Sequence, residues 1–202
     1  MAEIIHIPGS VFSAQASENL VEYPVYAKIL HLGLVLSVTF ELWNSLAALW
    51  FANFTWFPLH VLAGLILTGW LVLTWLVYLL TPWGRHLLGT WFSWRTPQAV
   101  GHDLARLFRG KLPSHGVRPG LSSLWQAIFF IGVSIVTFGG FLGWLVLRGD
   151  LHLSGGAQIG LTLMRLGTPL LAYFWIGHVV MATYHALRGE ALWRIFAVWK
   201  RG

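Results

Sequence analysis

The stretch PLHVLAGLILTGWLVLTWLVYLLT, residues 58–81, runs for 24 residues without one Asp, Glu, Lys or Arg. About 20 apolar helical residues cross the roughly 30 Å of hydrocarbon in a bilayer. This run therefore predicts a membrane span. Working outward, three more runs reach that length, at about 29–51, 122–147 and 157–187. Lipid offers no partner to backbone N–H and C=O groups, so only helices and closed barrels cross it, and four runs cannot close a barrel. The expected fold is an all-α integral membrane protein, a four-transmembrane-helix bundle with short interfacial helices, forming one domain over residues 1–202. Pro24 and Pro58 stand before or at helix starts, where proline is tolerated. Pro169 lies inside the fourth span and predicts a kink.

The composition agrees with this reading. Of 202 residues, 56% are hydrophobic and 10% charged, against about 25% charged in soluble domains. The mean hydropathy is +0.67. Thirteen Trp suit a protein with two membrane–water interfaces, where an indole ring is half wet. The chain has no Cys. That excludes disulfides, thiolate zinc sites, cysteine-held iron–sulfur clusters and covalently attached haem. Any metal must rest on His, Met or carboxylates.

A net charge of +6 and a pI near 10.2 suggest nucleic acid only superficially, because the basic residues sit where membrane topology needs them. The connection at about 82–121 holds Arg85, Arg95, Arg106, Arg109, Lys111 and Arg118 against Asp103 alone. The tail holds Arg188, Arg194, Lys200 and Arg201 against Glu190. The connection near 52–57 is uncharged, and the third carries Arg148 and Asp150. Positive residues stay in the cytoplasm. This predicts a cytoplasmic second connection and two cytoplasmic termini. Residues 1–27 lack Lys, Arg and an early apolar core, so they do not read as a signal peptide. Within the second connection, Pro97 to Phe108 puts Val100, Leu104, Leu107 and Phe108 on one helical face. Ala191 to Trp199 does the same with Leu192, Trp193, Phe196 and Trp199. Both are expected to lie on the cytoplasmic surface as interfacial helices.

Three histidines fall inside the spans: His31, His60 and His178. An ionisable residue in hydrocarbon is costly and usually functional, and imidazole is the commonest metal ligand. The topology gives each a depth. His31 and His178 belong to the inner level, and His60 and Met164 to the outer level. Met164 and His178 are 14 residues apart, which on a helix is about 21 Å of rise and about 40° short of whole turns. They share one side of the fourth helix. This is the spacing of two haems stacked across a membrane, each held without covalent attachment. His185, seven residues past His178, offers another pairing, His31 with His185 and His60 with His178. That pairing leaves the ligands about 10 Å apart along the helix, crowded for two haems. His185 reads better as a neighbour of a propionate or quinone, or as a plain interfacial histidine. Arg165 lies beside Met164 and is expected to be buried at that depth, paired with a propionate, unless it snorkels outward. Gly64 and Gly167 make room for a macrocycle or for helix packing. A bland reading stands beside each of these: intramembrane histidines also bond helices together, and Met fills apolar gaps. His6, His86, His102, His115 and His152 fall in tails and connections and read as surface residues.

Tyr23-Pro24 through Lys28-Ile29-Leu30-His31 resembles the first-helix signature of bacterial di-haem b-type cytochromes. His60-Val61-Leu62-Ala63-Gly64 resembles that family's second-helix His-x-x-x-Gly. His178-Val179-Val180-Met181-Ala182-Thr183-Tyr184-His185, with Arg188 and Leu192-Trp193-Arg194 beyond it, resembles the fourth-helix ending of its small stand-alone members. The family includes the cytochrome b subunits of nickel–iron hydrogenase, formate dehydrogenase and thiosulfate reductase. The resemblance implies that His31 and His178 hold the inner haem b and His60 the outer one. The family's fourth ligand is a histidine 14 residues before the last, and here that position is Met164. This departure implies either His/Met ligation, which raises a haem's potential, or a weak or missing outer haem. The third span opens with Arg118-Pro119-Gly120-Leu121-Ser122-Ser123 and lacks the amide residues that formate dehydrogenase relatives place near quinone, although Ser122 and Gln126 are close.

The expectation is an electron-transfer protein of a bacterial inner membrane, carrying two haems, or one. It would link a peripheral redox enzyme or carrier to the quinone pool, with quinone near His178, His185 and the second-connection helix. Its iron ligands would be His31, His60, His178 and Met164. Membrane lipid and a redox subunit are the expected partners, and nucleic acid is not. One rival is a haem-free membrane anchor of an oxidoreductase. The other is a transporter or proton channel using His60, Arg165 and His178 as a relay, for which Glu41 is the one acidic residue inside the spans.

Overall fold

The computed structural model describes residues 23–111, 118–149, 155–188 and 195–196. Among the described residues six α-helices follow in order: α1 Val25–Phe51, α2 Phe57–Leu80, α3 Pro82–Trp91, α4 Thr96–Phe108, α5 Leu121–Leu147 and α6 Gly156–Leu187. No strand occurs among the described residues. Four of these helices are long and apolar enough to span a membrane, namely α1, α2, α5 and α6 from Gln158 on. Only 17–28% of the most apolar window of each is buried inside the protein. Leu36, Trp43, Ile66, Leu73, Leu166 and Leu170 are left exposed. A helix that is apolar on its outside as well as its inside has lipid for a solvent. The chain is an all-α, four-span membrane bundle.

The spans start and stop within four residues of their expected limits. α1 begins earlier than expected because Pro24, extended at ψ 150°, is its N-cap, and Lys28 continues the helix instead of preceding it. α6 runs through Pro169 without a break in its helical assignment. The chain passes up α1, down α2, through α3 and α4 at one end, then up α5 and down α6. The end holding α3 and α4 is the basic end. The opposite end holds the short connection 52–56.

The core draws on every span. Val38 and Leu42 of α1, Leu67 and Leu71 of α2, Phe130 and Val133 of α5, and Leu171 and Ala172 of α6 form one buried cluster. α5 and α6 make the most extensive pair. A Cβ on Gly160 would run into the backbone of Gly139 and Gly143. Small residues let membrane helices approach this closely. Gly167 also serves packing, because a Cβ there would strike Val136.

Sequence reading left α3 as part of a connection. Its start is marked by Thr81, whose hydroxyl accepts from the Gly84 N–H at 3.0 Å, followed by Pro82 in the first turn. These are ordinary helix-start residues. α3 buries Leu87 and Trp91 against the spans. The Trp91 ring meets Tyr78 at 5.6 Å and Phe130 at 5.8 Å.

The expected amphipathic helix at 97–108 is α4, but its orientation differs from a simple apolar-face-in arrangement. Leu104, Leu107 and Phe108 are exposed, while Thr96 and Asp103 are buried. Asp103 turns inward because it has two partners there. Its carboxylate accepts from Arg118 Nη2 at 2.8 and 2.9 Å and from the Leu121 N–H at 3.0 Å. Leu121 opens α5, so a residue of α4 caps the next span and meets its positive dipole end. The apolar side of α4 faces outward, as a surface-lying helix requires. Of the expected helix at 191–199, all but Ile195 and Phe196 lies outside the described residues, as do His6, His115 and His152.

Candidate functional site

Two groups of polar side chains lie within the bundle, one toward each end. Toward the basic end, His31 of α1 faces His178 of α6, with ring centres 6.5 Å apart and planes inclined at 50°. This contact is one of the two pairings the sequence offers for His31. His31 Nδ1 is shut from solvent and has no hydrogen-bond partner. The Phe196 ring packs on His31 at 5.4 Å, edge to face. Lys28, one turn before His31, is buried, and so is His185, two turns after His178.

His31 and His178 are the residues that would hold a metal group here: two imidazoles from different spans face each other, and His31 keeps a buried ring nitrogen without a partner. Among the described residues no three His, Asp or Glu side chains gather to hold a bare metal ion. A haem asks for only two protein ligands, because its macrocycle supplies the other donors.

Toward the opposite end, His60 Nδ1 lies 2.5 Å from Glu41 Oε2. The two approach closely but off the axis of an aligned hydrogen bond, and His60 Nδ1 and Glu41 Oε1 have no other partner. The short connection sets this contact. Asn44, one turn after Glu41, donates from its amide to the Trp56 carbonyl at 3.3 Å. Trp56 is the N-cap of α2, and its carbonyl accepts from the His60 N–H at 2.9 Å. Asn53 accepts from the Thr55 N–H at 3.1 Å within the same turn. One clamp thus fixes the start of α2 against α1.

His60, Glu41 and Met164 line a single cavity of about 160 Å³, with Gly64, Gly140 and Thr168 among its other walls. Gly64 has open space where a side chain would be, whereas Met164 Sδ packs over Gly140. His60 and Met164 therefore share one space, as their depths required. That space is smaller than the about 300–1,000 Å³ of ordinary ligand sites, so a macrocycle between them needs the helices to part. The two ends are unequal: His31 and His178 face each other directly, whereas His60 meets Glu41 and shares a cavity with Met164.

Arg165 was expected to be buried beside Met164. It is exposed and absent from the cavity walls. Adjacent helical residues point about 100° apart, so Met164 faces the bundle and Arg165 leaves it. The snorkelling alternative is the one that suits its position. His86 and His102 are exposed, in keeping with surface roles. Sequence reasoning missed three residues here. The sequence assigns Glu41 no partner, although a lone carboxylate in a span already calls for one. Lys28, just before the span expected at about 29–51, is buried within α1. Phe196 was assigned to the surface and lies on His31.

A second recess, of about 340 Å³, lies along α3, α4 and the start of α5, lined by Trp91, Phe92, Pro97, Val100 and Leu124 with Ser93 and Thr96. It carries no titratable group. Beside it in sequence, Ser122 Oγ is shut from solvent and unpartnered, while Gln126 is exposed. No protein-family model, no curated protein and no solved structure matches this chain.

Proposed function

We propose that this chain is a haem-b electron-transfer protein of a bacterial inner membrane, passing electrons between a peripheral redox partner and the quinone pool. The observation that carries the reading is the His31–His178 pair, 6.5 Å apart on two different spans. A bound haem supplies one-electron iron chemistry. The protein's share would be to hold the group with His31 and His178, both half-buried, and so to set the potential through ligand type and partial exclusion of water. The basic end is assigned to the cytoplasm, because α3, α4 and their flanks carry the excess of Arg and Lys.

Met164 and His60 would be the residues to hold an outer haem; both line one cavity with open space beside Gly64, and binding there would require the helices to part. Quinone is assigned to the inner end. The recess along α4 is of small-molecule size and lies at the end that also holds His185. A proton relay through His60, Arg165 and His178 has less support. Arg165 is exposed, and the two histidines stand toward opposite ends of the bundle.

The deciding experiment is a reduced-minus-oxidised optical spectrum of protein purified after haem-replete expression, with haem counted per chain. A b-type signal is expected; its absence sinks the haem reading and leaves the haem-free anchor and the transporter, which an uptake assay in liposomes tells apart. A second measurement addresses the outer level. Met164→Leu should convert one haem to a high-spin spectrum, and Met164→His should lower that haem's midpoint potential, because methionine ligation raises it. An unchanged spectrum and potential in Met164→Leu would mean that the sulfur is not a ligand.

A further inference from the structure

The basic end of the bundle presents a surface that the histidine sites do not use. Arg85 of α3, Arg95 at the start of α4, and Arg109 and Lys111 just past its end are all exposed. Asp103 is the one acidic residue between Pro82 and Gly120, and its carboxylate is already taken by Arg118 and the Leu121 N–H. No acidic residue of that stretch is left to offset the exposed cations. Bulky apolar side chains stand among them. Trp94 is 77% and Phe108 90% exposed, and Phe92 and Leu104 are exposed as well. The Arg95 guanidinium lies 5.4 Å from the centre of the Trp94 ring. Apolar side chains gathered on a protein surface mark a partner, and here the partner must also be anionic.

The position of the patch selects that partner. Thr81 alone separates α2 from α3, so Arg85 stands about one helical turn beyond the end of a span. Leu79 and Leu80, which close that span, are exposed. The lipid-facing wall of α2 therefore runs straight into the patch, at the level where headgroups lie. Aromatic rings suit the boundary of headgroups and acyl chains, and Arg and Lys beside it meet phosphates. An acidic protein surface would match the cations but not this continuity with the lipid-facing wall.

We propose that the layer formed by α3 and α4 binds anionic phospholipid headgroups. Arg85, Arg95, Arg109 and Lys111 meet the phosphates, and Phe92, Trp94 and Phe108 sit at the acyl boundary. The Asp103–Arg118 pair serves the same surface, because it turns the one carboxylate of this stretch inward. The proposal is independent of whether the chain binds haem.

The test uses the full chain reconstituted in phosphatidylcholine vesicles with a trace of spin-labelled phosphatidylglycerol or spin-labelled phosphatidylcholine. The motionally restricted fraction of the EPR signal reports how strongly each lipid associates with the protein. Each Lys or Arg beside an anionic headgroup strengthens association by up to about 5-fold. Phosphatidylglycerol should therefore associate at least about 5-fold more strongly than phosphatidylcholine at low salt, and the preference should shrink in about 1 M salt. Arg95→Gln, Arg109→Gln and Lys111→Gln combined in one chain should bring the ratio of the two lipids near one. Their association with phosphatidylcholine should stay at the wild-type value, which reports that the bundle has folded. Arg148→Gln, at the opposite end, should keep the full preference. Equal association of both lipids with the wild type would overturn the proposal and leave the cations to an acidic protein. A preference that survives in the triple variant, or that falls as far in Arg148→Gln, would also overturn it, because the charge responsible would then lie elsewhere.

Discussion

His31→Ala and His178→Ala should each remove the same haem signal, although the two residues are 147 positions apart in sequence. Their rings face each other at 6.5 Å from α1 and α6, so on the proposed reading loss of either would leave the same haem with one protein ligand. A haem held by one remaining imidazole loses its low-spin spectrum and is retained poorly. With two haems bound, each variant should keep about half of the total, and the remaining signal should be identical in both. His60→Ala should remove the complementary signal. Reduced-minus-oxidised spectra of the three variants, normalised to protein, decide this. If His31→Ala and His178→Ala deplete different signals, the pairing across the bundle is wrong, whatever the overall haem count.

The second large effect is structural. Asp103→Ala should destabilise the bundle by about 2–3 kcal/mol. Removing one partner of a buried ion pair typically costs about 3–5 kcal/mol. The value is discounted because the Arg118 side chain is 30% exposed and can rehydrate, whereas Asp103 is 1% exposed. The loss includes the cap on α5, because the same carboxylate accepts from the Leu121 N–H. Asp103→Asn keeps an oxygen for that N–H and should lose less. Thermal unfolding in detergent checks the order. Equal midpoints for the wild type and Asp103→Ala would show that the contact contributes nothing. Because α4 is tied to α5 through Asp103, the variant should also expose α4 to proteolysis before the spans unfold.

The four spans were legible because lipid imposes a length and a composition, and both are written in consecutive residues. The 24 uncharged residues at 58–81 needed no tertiary information. The depth of each histidine was legible for the same reason, since topology turns position along a span into distance from a surface. Met164 and His178 could be placed on one side of α6 by helical arithmetic alone. What that arithmetic missed was rotation about each helix axis. Arg165 follows Met164 in sequence yet leaves the bundle, because the packing of Gly139, Gly143 and Gly160 decides which face of α6 meets α5. α3 was missed because ten residues with mixed polarity give a weak periodic signal, although Thr81 and Pro82 marked its start.

The sequence by itself determined the number of spans, the excess of positive charge at one end and the depths of the four candidate ligands. Hydrophobic thickness and charge are properties of local composition. Only the tertiary structure decided which histidine faces which, that Asp103 caps a neighbouring helix, and that Glu41 reaches His60. Each of those depends on how helices distant in sequence rotate against one another, and close packing between small residues sets that rotation.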